Sequence, residues 1–175
     1  MKRLLSTLLL AGVVLWSASQ AMAFKPAVVF DMGGKFDKSF NEGIWNGVEK
    51  FRKETGIKYR EFEVQQEAQR EQFLRKLAKR GSDPILAVGF GQASAVEKVA
   101  KEFPNTRFII IDVNWLNAPN IQGIAFKEQE GSFLVGLLAA VRSETGKVGF
   151  VGVMYIPLIH QFACGYVQRA HYINS

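Results

Sequence analysis

Two stretches of this chain constrain its fold more than anything else in it. Ala27-Val28-Val29-Phe30 and Phe108-Ile109-Ile110-Ile111 are apolar at every position, and each stops at an aspartate, Asp31 and Asp112. Successive side chains of a strand point to opposite faces, so an uninterrupted apolar run needs both faces covered. That is the condition of a central strand in a parallel sheet. Pro84 to Val88 repeats the pattern, and Ile57 to Val64 alternates in the manner of an outer strand. Between these runs lie helical periodicities. One starts at Ser39 or Asn41 as cap, carries Ile44, Trp45, Val48 and Phe51 on one face and closes at Gly56. A second spans Glu67 to Arg80 with Phe73, Leu74 and Leu77 inward and Gly81 behind it. A third spans Gln92 to Phe103 with Ala95, Val96 and Val99 inward. Strand and helix alternate with short connections, and crossovers between parallel strands are right-handed. The expected fold is therefore α/β, a Rossmann-like parallel sheet with helices on both faces.

Val113 to Asn120 reads as a linker, and the pattern restarts beyond it. Ile121 to Phe126 and Lys147 to Gly152 read as strands, Glu128 to Arg142 and Ile156 to Ile173 as helices. Pro157 is tolerated in a first turn. The expected organisation is a first lobe over residues 24–120 and the start of a second, incomplete lobe over 121–175. One or two strands cannot bury the helices packed on them. The expectation is a truncated copy of a longer protein, with self-association through the incomplete lobe.

Residues 1–23 carry a different signal. Lys2 and Arg3 precede the apolar stretch Leu4 to Trp16, and Ala21-Met22-Ala23 ends it. This is the pattern of a cleaved secretory signal peptide. The one cysteine, Cys164, is far from the expected cleavage point, so the reading is a periplasmic protein that starts at Phe24 and is not a lipoprotein. No apolar run reaches the ~18–20 residues of a membrane span, which excludes a helical channel or transporter. The formal charge of +6 falls to +4 without Lys2 and Arg3. Lys50, Arg52, Lys53, Arg75, Lys76, Lys79 and Arg80 alternate with Glu49, Glu54, Glu67 and Glu71. Basic residues interleaved this way form solvated helix faces, not a nucleic-acid patch.

In open α/β sheets, ligands bind beyond the carboxyl ends of the strands. The candidate ligand-binding residues are accordingly Asp31, Phe40, Asn41, Gly89, Phe90 and Asp112. Aromatics there can stack on a ring, and acids can accept from hydroxyl or N–H groups. Single aspartates at strand ends also serve as turn residues, and Phe36 and Phe40 could plug the core under their loop. Gly89-Phe90-Gly91 lacks the third glycine of a dinucleotide loop. No G-x-S-x-G, H-E-x-x-H or Walker sequence occurs, so no catalytic residue, metal or cofactor is assigned. Cys164 on the last helix reads as a buried, inert thiol.

Taken together, Asp31-x-Gly33-Gly34 with Asp37-Lys38-Ser39-Phe40-Asn41 resembles the signature of the basic membrane protein (BMP) family of ABC-transporter substrate-binding proteins. Val88-Gly89-Phe90, the strand ending at Asp112, Glu130-Gly131-Ser132-Phe133-Leu134 and Lys147 to Gly152 are similar to it as well. The resemblance implies a type I periplasmic binding protein lobe and a purine nucleoside-like ligand. It implies Phe40 stacking on the base with Asp31 and Asn41 beside it, and an ABC permease as partner. The chain departs from the family pattern at Val153, Tyr155, His160, Gln161 and Arg169. Val153 stands where a positive φ is expected, and Arg169 on a closely packed helix face. A decaying copy is the expectation these changes add. The alternatives are a hydrolytic enzyme acting on nucleosides, built on Asp31, Asp37 and Asp112, and a non-functional fragment.

Overall fold

β1 (Ala27–Phe30) is buried at all four positions, as a wholly apolar run requires. The structure, a computed structural model, describes residues 24–173; the leader expected over residues 1–23 lies outside them. After β1 come α1 (Phe40–Thr55), β2 (Arg60–Glu63), α2 (Gln69–Lys79) and β3 (Ile85–Ala87). A single 3-10 turn (Phe90–Gln92) leads into α3 (Ala93–Glu102), followed by β4 (Phe108–Ile111) and β5 (Ile121–Ile124). Two long helices complete the order, α4 (Glu128–Arg142) and α5 (Pro157–Ile173).

The strands form one parallel sheet in the order β2-β1-β3-β4-β5. On one face, Leu74 and Leu77 of α2 and Val96 and Val99 of α3 pack on Val29, Ile85, Ala87 and Ile110. On the other, Ile44, Trp45 and Val48 of α1 cover Val28, Phe30 and Val88. The α/β reading, with helices on both faces, is what the structure has. Gly56 closes α1 with φ 72°, a left-handed cap that glycine adopts without strain, and its N–H donates to the Arg52 carbonyl. The basic residues of the helices pair with neighbouring acids, as in Arg52–Glu49, Arg75–Glu71 and Lys101–Glu97.

Five expectations need correction. The strand beginning at Ile121 does not open a new unit: β5 pairs with β4 over Phe108↔Ile121 to Ile111↔Ile124 and is the edge of the first sheet. The segment before it is no free linker, because the Asn120 amide donates to the carbonyls of Ala100, Phe103 and Thr106 and ties it to the end of α3. Lys147 to Gly152 forms no strand. Its alternation is strand-like, but no strand among the described residues lies beside it, and Val151 stands 96% exposed. Cys164 is exposed, not buried, since it lies on a side of α5 that no described residue covers. Finally, Val153 needs no special backbone: the described non-glycine residues with positive φ are Lys38 and Asp112.

α4 and α5 pack closely on each other. A Cβ at Gly136 would run into the Tyr166 carbonyl, and one at Gly165 into the Gln129 carbonyl, so both helices need a glycine at the crossing. Arg169 fits into this pair by lying over the Phe133 ring, 5.0 Å from its centroid.

Candidate functional site

The parallel register decides which residues meet at the carboxyl edge of the sheet. Val29 stands opposite Ala87, and Ala87 opposite Ile110. Two residues further along each strand, Asp31, Gly89 and Asp112 fall in one row. Three of the six expected site residues are therefore neighbours by register alone.

A brace behind the row holds Asp31. The Asn41 Oδ1 accepts the Asp31 backbone N–H at 3.1 Å, and the Asn41 Nδ2 donates to Asp37 Oδ2 at 3.1 Å and to the Asp31 carbonyl at 3.5 Å. Asn41 is buried. Its amide is thus committed to the chain itself, which differs from the ligand contact expected of it. The start of α1 is capped by neither Ser39 nor Asn41 but by Asp37. Its carboxylate accepts the N–H groups of Ser39 (2.8 Å), Asn41 (3.0 Å) and Glu42 (3.1 Å). Desolvation alone would raise this carboxyl; the backbone N–H groups of Asn41, Glu42 and Ser39 and the Asn41 amide outweigh it and hold it below its ordinary value. The consequence is a fixed loop that leaves Phe40 at the surface. Phe40 stands beside Gly89, and Phe36 packs edge-on against Trp45 at 5.0 Å and is exposed, so neither is a core plug.

Beyond the row opens a cavity of about 830 Å3, walled by Asp31, Phe90, Gly91 and Trp115 on the sheet side and by Met154, just before α5, and Pro157, its first residue. Glu67 and Arg70 of α2 line it too. Arg70 donates from Nη2 to Asp31 Oδ1 at 3.0 Å, so the strand-end carboxylate is paired. Two glycines make room for that pair. A Cβ on Gly89, which has φ 92°, would stand 3.0 Å from Asp31 Oδ2, and one on Gly91 would stand 2.9 Å from Arg70 Nη2. The buried Gln92 secures the strand ends by donating to the carbonyls of Val29 (2.8 Å) and Val88 (2.9 Å). Asp112 adopts a left-handed backbone with φ 63°, its N–H bonded to the Ile124 carbonyl at 2.7 Å. Burial, with a smaller contribution from the nearby Glu128 carboxylate, pushes its carboxyl above the ordinary range.

Of the expected residues, Asp31, Phe40 and Gly89 meet at one point, and Asp31 and Phe90 are cavity walls. Asp112 shares the row but is not part of the cavity wall. Arg70, Trp115, Met154 and Pro157 were not read from the sequence. Arg70 had a signal: it falls three to four residues before Phe73 and Leu74, on the inward stripe of α2, where a charge is out of place. Trp115 lies one residue past Asn114, in the loop that follows β4.

A parallel sheet covered on both faces, its strand ends opening on a largely apolar cavity, is the architecture of a ligand-binding α/β lobe. The chain belongs to the Bmp family: the family of ABC transporter substrate-binding proteins described as PnrA-like matches residues 24–175. It is 34% identical over 185 residues to basic membrane protein A of Borreliella burgdorferi, covering all of this chain and 53% of that protein. It is 30% identical over 155 residues to the ABC transporter nucleoside-binding protein BmpA of Lactococcus lactis, covering 86% of this chain and 44% of that one. Among solved structures, an ABC transporter solute-binding protein of Aeropyrum pernix matches with a TM-score of 0.74 and 31% identity, over 86% of this chain and 44% of that one. The chain spans about half the length of the curated relatives it matches. The sheet corresponds to the first lobe of the periplasmic binding protein fold.

Proposed function

We propose that this chain supplies the first-lobe wall of an extracytoplasmic receptor that binds a nucleoside-like molecule and presents it to an ABC permease in the inner membrane. In this reading residues 1–23 are a signal peptide cleaved after Ala23, and the second lobe begins after β5. The chain binds its ligand and does no chemistry on it. The observation that carries the reading is the meeting of Asp31, Phe40 and Gly89 at the strand ends, next to a cavity of about 830 Å3. That volume suits a ligand of nucleoside size. Phe40 offers an exposed ring for stacking on a base, Asp31 a fixed acceptor, and Gly89 a close backbone approach. The name of the Lactococcus lactis relative, a nucleoside-binding protein, supports the ligand class. An uncharged ligand also suits a cavity whose acid is already paired with Arg70.

The described residues offer polar contacts from one side of the cleft only. Stacking on Phe40 contributes about 1–3 kcal/mol, and each hydrogen bond open to water about 0.5–1.5 kcal/mol. Set against an association cost of several kcal/mol, the sum gives an affinity near millimolar or weaker. Calorimetric titration of purine nucleosides into the full chain tests this, with Phe40→Ala as control. Weak binding that Phe40→Ala abolishes is expected. Submicromolar binding would contradict the one-sided cleft, and binding indifferent to Phe40→Ala would move the site elsewhere.

A further inference from the structure

Arg70 is a charged residue, only 8% exposed, on the side of α2 that carries Leu74 and Leu77 into the core. Its hydrogen bonds are few for its burial. Nη2 donates to Asp31 Oδ1 at 3.0 Å and Nη1 to Glu67 Oε1 at 2.8 Å, and Nε is buried without a partner. A guanidinium has five N–H donors, so this one is under-used. Its two acceptors are unequal. The Asp31 side chain is 23% exposed, whereas that of Glu67 is 78% exposed. A pair with so exposed a partner is screened by water and easily given up. All three residues line the same cavity, together with the rings of Phe90 and Trp115.

We propose that Arg70 is a specificity-determining residue: the ligand takes Nη1 from Glu67 through a carbonyl oxygen, while Asp31 accepts the N–H next to that carbonyl. This inference rests on the nucleoside reading above and narrows it to bases with a lactam edge, that is, 6-oxopurines. A ligand anion is disfavoured, because it would meet the Asp31 carboxylate in a mainly apolar cavity. A guanidinium N–H donates to the carbonyl of a 6-oxopurine, whereas the amino group of an adenine would meet it donor to donor. A carboxylate accepting from the adjacent lactam N–H makes a charge-assisted bond. The absence of a side chain at Gly91 keeps the Arg70–Asp31 pair in place, since a Cβ there would stand 2.9 Å from Nη2.

The test compares inosine with purine riboside, which has the same sugar and ring system but lacks the oxygen and the N–H. Both are titrated into the full chain by calorimetry or by NMR. The natural chain is expected to favour inosine by about tenfold. Arg70→Met is expected to bring the ratio near one, its fold being checked by circular dichroism. Glu67→Gln, an exposed position that does not threaten the fold, is expected to tighten inosine by about two- to threefold. Equal affinity for the two nucleosides in the natural chain overturns the role of Arg70 and leaves the nucleoside reading standing. A fall in inosine affinity in Glu67→Gln overturns it too. Binding of neither nucleoside by the folded chain overturns both readings.

Discussion

The sheet and the helix pair that follows it are built from equally apolar sequence, yet they end up in opposite surroundings. In the sheet and the helices packed on it, Val29, Leu74, Ile85, Val96 and Ile110 are fully buried. In the pair and the segment joining its helices, Leu134, Leu138, Val141, Val148, Val151 and Val153 lie at the surface, Leu138 62% exposed. The difference is not one of residue type but of partners. Each apolar strand of the first half has neighbours in register, and helices cover the sheet on both faces. The run from Lys147 to Gly152 lies against α5, with the Phe150 ring 5.9 Å from that of Tyr166, but pairs with no strand among the described residues and forms none. Periodicity tells a segment which element it is suited to; whether that element forms depends on what stands beside it.

The largest effect expected from this comparison is a contrast in stability. Leu74→Ala, in the core under the sheet, should cost about 2–5 kcal/mol. Leu138→Ala, on the exposed side of α4, should stay within about 0.5 kcal/mol. Urea denaturation of the two variants measures both. Similar losses would mean that the helix pair has a covered face after all.

The exposed face gives the second expectation. A contiguous apolar patch of this kind marks an interaction surface or an aggregation liability. The purified chain should bind hydrophobic dyes and scatter light as it self-associates. Replacing Leu134, Leu138 and Val141 together by lysine should remove most of both signals while leaving the unfolding midpoint nearly unchanged. A monodisperse, dye-silent natural chain would break the comparison.

A third expectation concerns the strand ends, where sheet and cavity meet. Gln92→Leu removes the donor to the Val29 and Val88 carbonyls and should cost about 1–3 kcal/mol. Amide exchange should speed up at Val29 and Val88 and not in α4.

The smallest effects, under about 1 kcal/mol each, are pH-dependent and opposite in sign at the two edges of the sheet. Hydrogen bonds from Arg107 hold the Asp83 carboxyl below its ordinary value of 3.8. Its contribution is present above that value and lost as pH falls through the lowered one. Asp83→Asn should therefore destabilise at neutral pH and cost less in acid. Asp112 is the reverse case, its carboxyl raised above 3.8 by burial first and by Glu128 second. The cost of ionising it in the fold builds as pH rises from the ordinary value to the raised one and stays constant above. Asp112→Asn should stabilise at neutral pH, and the gain should vanish below the ordinary value. Thermal melts across pH 3–8 read both.

Much of the first half was legible because its signals are local and agree. Apolar runs ending at Asp31 and Asp112, and glycines at 56 and 81 behind the helices, fix element type and direction together. The strand-end rule then leads to Asp31, Gly89 and Asp112, which the register sets side by side. What escaped depends on contacts distant in sequence. Glu67 reads as one acid of a solvated helix face, and only the fold brings Arg70 and Asp31 together at one guanidinium. Asn120 resembles a linker residue until its three carbonyl partners are in view. Asn41 resembles a ligand contact because its brace closes through Asp31 and Asp37.

The central claim is that the carboxyl edge of the sheet, and not the helix pair, carries the ligand. Titration of inosine into the isotope-labelled full chain, followed by amide and indole NMR shifts, tests it most directly. The account predicts saturable shifts at Asp31, Phe40, Gly89 to Gly91 and the Trp115 indole, with residues 158–171 unmoved. Shifts confined to 144–171, or none at the strand ends at saturating inosine, would contradict it.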